Sequence, residues 1–480
     1  MSNTSVARNA VLLMSGTTVQ KIIAFFAFTF IARWVGVEIT GQYFFAISVT
    51  SVFVTLTDLG MTPVLIRATA QNAPDAHELF TKIFRAKAAL IPVAIACSLT
   101  YGWLAHVSHS VFVAIAVACG VLALDACTLP LYGWLRGHRD LKPEAIGMFC
   151  TQLISAIVGL TVARAGYGVI GLATSLLAGS IVNVAWSYRA AHRLVATQAH
   201  TPTRAWTWKR LILAALPFAL AGLFVKIYSY VDTLMIQHFW TDREVGFYAV
   251  AYKLTYAFQF LPLAFVGALY PGMSSAFAEN KAELTRLVRG SLRLMAGVSI
   301  PVAVWLSLFA PTVIRLMYGH AYDGSIPVLR ILPWVLVPIF LDFPIGSLLN
   351  ASHRAHLKTA SMGVAMVVNV VANALLVPRL GPVGGAIAGV ISFTILGVAG
   401  VWFAREHVMS DGWGRTFFTR VGASLVACTA CGYAIVQLPI WLALPTAFLA
   451  TCVLWAVSGF VEKEELERVV AKLEALRARI

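Results

Sequence analysis

The chain has 480 residues, of which 59% are hydrophobic and only 12% charged, with a mean hydropathy of +0.80. Soluble domains carry about 25% charged residues, so a soluble globular fold is excluded and an all-α, polytopic membrane protein is predicted. The 36 Lys and Arg against 21 Asp and Glu give a formal charge of +15; in a membrane protein that excess reports topology, and no nucleic-acid partner is expected from it.

A helix needs about 20 apolar residues to cross the hydrocarbon core. By that measure fourteen spans begin near residues 10, 43, 83, 111, 145, 168, 211, 247, 292, 327, 358, 383, 417 and 440. The stretch from Ala10 to Ile31 is too long for a signal-peptide core. With the N-terminus inside, the inner connections collect twenty-seven Lys and Arg and the outer ones six, which predicts an N-in, C-in topology. Lys21, Lys226 and Lys253 then fall within spans. Trp34, Trp103, Trp134, Trp240 and Trp441 lie near span ends, as an interfacial belt requires. All seven cysteines sit in apolar runs and predict no disulfides; the Cys428–Cys431 spacing lacks a basic neighbour and reads as chance. No outer connection exceeds about a dozen residues, which argues against an enzyme building sugar chains on the outer face, and no metal or cofactor motif appears.

The chain nearly repeats itself. Glu38 to Tyr43 and Arg243 to Tyr248 align at an offset of 205, which also superposes Lys21 on Lys226 and Thr50 on Thr255. Arg164-Ala165-Gly166 and Arg379-Leu380-Gly381 echo each other at an offset of 215. Six spans per repeat is an even number, so the repeat is parallel, with its axis along the membrane normal. The expected organisation is a six-helix lobe at 1–190, a linker at 191–208, a second six-helix lobe at 209–405, two additional spans at 406–460 and an amphipathic tail at 461–480. Two such lobes enclose a cavity, as transporters do.

Ionisable residues inside a membrane are costly and face water or each other. Lys226, Ser229, Tyr230, Thr233 and Gln237 follow helical spacing, with Asp232 at the edge of the stripe; Ser48, Ser51, Thr55, Asp58 and Thr62 share a face, as do Tyr248, Tyr252, Thr255 and Gln259. Lys21, Lys226 and Lys253 are candidates for binding an anion, and Tyr230, Tyr252 and Gln259 for contacting a polar body. Asp58, Asp342, Asp232 and Asp125 are candidates for ion coupling, the alternative being plain ion pairs or helix–helix glue. Asn369 and Asn373, one turn apart, line the second lobe or bond a neighbouring helix. Pro217, Pro262, Pro301, Pro333, Pro338 and Pro344 interrupt spans where helices hinge. Gly166-Tyr167-Gly168-Val169-Ile170-Gly171 spells a dinucleotide fingerprint but follows no strand, and reads as a tight turn.

Ile31 to Gly36, Gly41-Gln42-Tyr43, Thr57 to Gly60, Tyr230-Val231-Asp232, Val245 to Tyr248, Ala251 to Leu254, Asn369 to Asn373 and Gly384-Gly385-Ala386 together resemble the Wzx-type polysaccharide (O-antigen) flippases. These belong to the multidrug/oligosaccharidyl-lipid/polysaccharide exporter superfamily. The resemblance implies a multi-pass protein of the bacterial inner membrane that moves undecaprenyl-diphosphate-linked oligosaccharide to the periplasmic leaflet by alternating access, coupled to an ion gradient. It further implies membrane lipids, a polysaccharide polymerase and a chain-length regulator as partners. The extra C-terminal pair also resembles lipid II flippases, so that cargo stays open, as do a drug or cation antiporter and, less favoured, a membrane polymerase or ligase.

Overall fold

The computed structural model describes residues 3–71, 75–195 and 206–435, with 438, 442–443, 445–447 and 449–451. Among these the secondary structure is helical, without strands: α1 (Asn3–Phe53), α2 (Thr55–Asp58), α3 (Met61–Ala70), α4 (Ala76–Leu104), α5 (His109–Gly137), α6 (Lys142–Arg164), α7 (Gly168–Val195), α8 (Trp208–Phe239), α9 (Asp242–Ala257), α10 (Phe260–Glu279), α11 (Lys281–Leu308), α12 (Ala310–Met317), α13 (Ile326–Ile331), α14 (Leu336–Ala351), α15 (Ala355–Leu380), α16 (Pro382–Phe403), α17 (Arg405–Val408) and α18 (Trp413–Ile435). The span expected near 440 falls mostly outside the described residues, as does the linker at 196–205; the tail at 461–480 lies wholly outside them.

Eleven stretches among the described residues are long and apolar enough to cross a membrane, so a count of fourteen separate spans is not reproduced there. The physical reasons are local. The first two expected spans form one helical run whose single non-helical residue is Gly36, at φ 83° and ψ 174°. The span expected near 247 is divided between α9 and α10, just ahead of Pro262. The one near 327 is among the eleven, as His320–Ala351, although it is assembled from short 3-10 turns, α13 and α14, with Pro333, Pro338 and Pro344 along it. Proline lacks the amide that continues the ladder, so such segments break into pieces.

Packing groups the helices into two compact units, one of Met1–Lys253, Met317–Ser325 and Ala365–Ala388, the other of Leu254–Leu316, Ile326–Val364 and Gly389–Ile480. This division is drawn by packing, whereas lobes at 1–190 and 209–405 are drawn by repeat. In the first unit Trp134 is fully buried with Leu65, Leu79 and Ile83. Trp134 is therefore not part of an interfacial belt: its ring lies 5.0 Å from Phe80 and 4.7 Å from His138. Trp34, Trp103 and Trp240 are exposed as expected. In the second unit the ridge Val288, Leu292, Ala296, Ile300 and Val304, at a spacing of four, buries α11 among Ile345, Leu348, Phe417 and Cys428.

The 205-residue repeat has a structural counterpart within the first unit. A Cβ on Gly41 would come within 1.7 Å of the Asp242 carbonyl oxygen, and one on Gly246 within 2.1 Å of the Val37 carbonyl oxygen. Positions 37 and 242, and 41 and 246, are equivalent in the repeat. The contact is therefore reciprocal, and only glycine lets the two backbones approach so closely. The second echo also holds, since Gly166 and Gly381 both take positive φ in the turns that follow α6 and α15.

Candidate functional site

A polar cavity of about 520 Å³ lies within the first unit, walled by α1, α5, α6 and α7, with Lys226 entering from α8. Four charged side chains line it. Arg136 makes a two-pronged ion pair with Glu144, its Nε donating at 2.7 Å and its second nitrogen bonding the other carboxylate oxygen. Asp125 accepts a hydrogen bond from Ser180 at 2.9 Å. Lys226 lies 5.4 Å from the centre of the Tyr230 ring, a cation–π contact one helical turn away. Among the described residues neither Asp125 nor Lys226 has an ion-pair partner within 4.0 Å. Uncharged donors and acceptors add to the wall, namely Gln20, Gln152, Thr151 and the Tyr132–Asn183 pair, whose hydroxyl donates at 2.6 Å, and apolar side chains such as Ile47, Leu122 and Met148 fill the rest.

The expected lysines are not gathered in one place. Lys226 is in this cavity. Lys21 is exposed on α1 and does not line it, although its neighbour Gln20 does. Lys253 is exposed beside two buried rings, 5.3 Å from Phe28 and 5.8 Å from Phe44. Tyr252 packs against the same Phe44 at 5.5 Å. Gln259 lies between α9 and α10 and belongs to the second unit.

The expected acids fall into three environments. Asp58 forms an ion pair with Lys87 at 2.9 Å, where the lysine is 1% exposed, and also accepts from the Thr62 hydroxyl and, at 3.3 Å, the Thr62 amide. The pair sits at a break in the helix, where Leu59 and Gly60 turn left-handed between α2 and α3. The Ser48–Thr62 stripe is consequently not one continuous helical face. Asp342 in the second unit pairs with Lys358 on α15, and both side chains are mostly buried. Asp232 has no cation partner among the described residues. It is buried, accepting from the Tyr248 hydroxyl and, at 2.7 Å, the Thr233 amide.

In the sequence Lys87 and Lys358 read as basic residues of inner connections; in the structure both lie in helices as partners of half-buried carboxylates. The signal was present, since Lys87 follows the span start assigned near 83 and Lys358 coincides with that near 358. Arg136 and Glu144 were missed for a different reason. They close the ends of consecutive helices, and nothing in linear order says that both turn inward. Asn369 and Asn373 bond within their own helix, with the Asn373 amide donating to the Asn369 carbonyl at 2.9 Å.

The second unit contains a larger cavity, about 770 Å³, of opposite character. Trp334, Val337, Leu341, Val401, Trp402 and Phe418 supply its wall, and among the described residues Arg405 is the one charged side chain that lines it. Arg405 rests 4.6 Å from the Trp402 ring.

Comparison with known proteins follows the same lines. The family model described as "Polysaccharide biosynthesis protein" matches residues 6–277, and the MatE family model matches 217–375. The chain is 21% identical over 398 residues to the probable low-salt glycan biosynthesis flippase Agl15 of Haloferax volcanii, covering 81% of each protein. It is 21% identical over 340 residues to the lipid II flippase MurJ of Bacillus subtilis, covering 63% of this chain and 61% of the other. A solved structure of lipid II flippase MurJ in an inward closed conformation superposes with a TM-score of 0.73 at 14% identity, covering 93% of this chain and 98% of that one. An inward-facing multidrug resistance MATE transporter of the MOP superfamily superposes with a TM-score of 0.65 at 15% identity, covering 84% and 99%.

Proposed function

This chain belongs to the polysaccharide biosynthesis protein family and is a multi-pass membrane flippase of the MOP type; we propose that its cargo is an undecaprenyl-diphosphate-linked oligosaccharide, carried across the bacterial inner membrane by alternating access. The observation that carries this reading is Lys226 in a cavity it shares with Asp125, the neutralised Arg136–Glu144 pair, several amides and hydroxyls, and apolar side chains. A cation held in a polar, low-dielectric recess attracts a diphosphate more strongly than the same charge in water, and amides and hydroxyls are the groups that bond sugar hydroxyls. Lys226 is the principal anion-binding residue of the proposal, with Lys21, Lys253, Tyr230, Tyr252 and Gln259 contacting the cargo as it moves. The second unit's own cavity is apolar, lined by Trp334, Leu341 and Trp402, and is of the character in which an apolar chain gains by leaving water.

Coupling to a proton or sodium gradient is the second part of the proposal. Asp125 and Asp232 are its favoured carriers, because neither carboxylate is neutralised by a basic side chain among the described residues, whereas Asp58 and Asp342 each hold a lysine. The test is reconstitution of purified protein in liposomes with a fluorescent undecaprenyl-diphosphate oligosaccharide, with transfer between leaflets scored with and without each gradient. Wild type transfers the lipid, and Lys226→Ala, still inserted and monodisperse, loses most of that transfer. Undiminished transfer by Lys226→Ala removes the lysine from the mechanism. Lipid II is the second cargo to assay, on the strength of the likeness to the Bacillus subtilis flippase, and dye efflux insensitive to Lys226→Ala but abolished by Asp125→Asn is the outcome that favours an antiporter.

A further inference from the structure

The two halves of the repeat differ most in one outer connection. Between α4 and α5 the chain spends four residues, 105–108; between α11 and α13, which begins the counterpart of α5, it spends seventeen, 309–325. The repeat offset grows from 205 to 215 between Thr255 and Arg379, so the second half carries additional residues in that interval. The connections from α3 to α4 and from α5 to α6 differ from their counterparts by four residues or fewer, which leaves the stretch after α11 as the place of the addition. Its packing is also distinct. Met317–Ser325 belongs to the first unit, although the chain on either side, at Leu316 and Ile326, belongs to the second.

Two tyrosines hold this segment to α1. Tyr318 and Tyr322, with ring centres 5.5 Å apart, are 2% and 1% exposed. The Tyr318 hydroxyl donates to Thr29 Oγ1 at 3.2 Å, since the Thr29 proton goes to the Phe25 carbonyl. The Tyr322 hydroxyl donates to the Ala32 carbonyl at 2.7 Å and lies 2.8 Å from the Thr40 hydroxyl. Ala32 and Thr40 stand on opposite sides of Gly36, where α1 departs from helical geometry, so one phenol spans the kink. The segment also meets α9. A Cβ on Gly324 would come within 2.5 Å of the Phe247 ring, next to Gly246. Both helices of the Gly41–Gly246 crossing are thus touched, at ends that are outer by the positive-inside rule. Asp242 adds a clasp there, accepting from the amides of Gln42 at 2.9 Å and Gln237 at 2.6 Å. A buried hydroxyl parted from its partner is costly until water replaces it, so these bonds persist as long as the outer end stays dry.

We propose that Met317–Ser325 is a strap, present in one half of the repeat only, that holds the outer ends of α1 and α9 together and lets them part when the outer face opens, with Tyr322 as its positioning residue at the α1 kink. The measurement needs no cargo, so a failure of the cargo assignment leaves the strap standing, and the reverse. Spin labels are placed at Glu38 and Arg243, exposed positions that are equivalent in the repeat and flank the crossing, in full-length protein whose native cysteines are replaced. Pulsed EPR in nanodiscs then reads the outer separation. Wild type gives mainly the short distance. Tyr322→Phe, which keeps the ring and removes the hydroxyl, raises the ratio of long to short distances about fivefold, the worth of one hydrogen bond. Thr40→Val raises it less, because the bond to the Ala32 carbonyl remains, and Tyr167→Phe, at an exposed tyrosine of another outer turn, leaves it unchanged. An unchanged distribution in Tyr322→Phe overturns the proposal, even where the melting temperature falls, since the tyrosine is then a structural bond and no strap. If Tyr322→Phe does not yield monodisperse protein, Thr40→Val combined with Tyr318→Phe carries the test by the same criterion.

Discussion

The two units solve the problem of empty space in opposite ways. The first surrounds its 520 Å³ cavity with Lys226, Asp125, an arginine–glutamate pair and several amides; the second surrounds 770 Å³ with tryptophan and aliphatic side chains and one arginine at the edge. The same contrast appears in the ion pairs. Each unit holds one lysine–aspartate pair within its helices, but Lys87 is 1% exposed and Lys358 is 18% exposed. The first unit has sealed its lysine, whereas Asp58, Asp342 and Lys358 are alike at 17–19% exposed.

That difference can be broken by mutation. Asp58→Ala leaves Lys87 buried and unpaired, at a cost of about 3–5 kcal/mol, and the melting temperature of the detergent-purified protein reads it; Asp58→Leu with Lys87→Met restores most of the loss. If the double variant is as unstable as the single, charge burial is not the cause. Asp342→Ala costs less, about 1–3 kcal/mol for a mostly buried group left without its partner, because Lys358 is 18% exposed where Lys87 is 1%. Next in size is Gly41→Ala, which drives a methyl group into the Asp242 carbonyl and costs about 3 kcal/mol, the upper end for overpacking; Gly246→Ala loses a similar amount through Val37. Tyr248→Phe removes the hydroxyl that donates to buried Asp232 and lowers stability by about 2 kcal/mol, as for other hydrogen bonds to a charged group.

The smallest effect is a pH dependence in the second unit. Burial of the His407 ring, with Arg289, Arg354 and Lys281 nearby and only Glu406 opposing, holds its imidazole below the ordinary 6.5. The folded protein therefore favours the neutral ring, which bonds the Thr285 hydroxyl at 2.8 Å. Stability from this group is complete above pH 6.5 and declines as the pH falls from there through the lowered folded value. Melting curves recorded from pH 7.5 to 5 show that decline, and His407→Gln flattens it; an unchanged slope in the variant excludes His407 as its source.

Much of the fold is legible because membrane insertion leaves coarse signals. Apolar length marks α4 to α8 and α15 to α16, and the repeat marks Gly41 and Gly246 as equivalent before any contact is known. What sequence conceals is depth and direction. Lys87 and Lys358 read as loop charges because hydropathy places span edges only to within a turn or so, and one helical turn separates a solvated ammonium from a buried one. The site is legible in part: Lys226 and Asp125 stand out as charges amid apolar runs, and both line the polar cavity. Arg136, Glu144 and Asn183 do not stand out, since their inward direction depends on which faces α5, α6 and α7 turn to one another. Lys21 shows the limit of equivalence by repeat, for it matches Lys226 in register and not in surroundings.

The reciprocal contact of Gly41 and Gly246 bears on how such a chain originates. Contacts in which residue i meets j and the equivalent of j meets the equivalent of i are those of a symmetric dimer. Two separate copies of the half-chain, associating about a two-fold axis, would place one glycine codon under two demands at once, because each copy would supply both sides of the crossing. Fusion of the copies releases that codon into two, free to drift independently. Here both remain glycine, as the crossing geometry requires, and Lys21 and Lys226 both remain lysine in different surroundings.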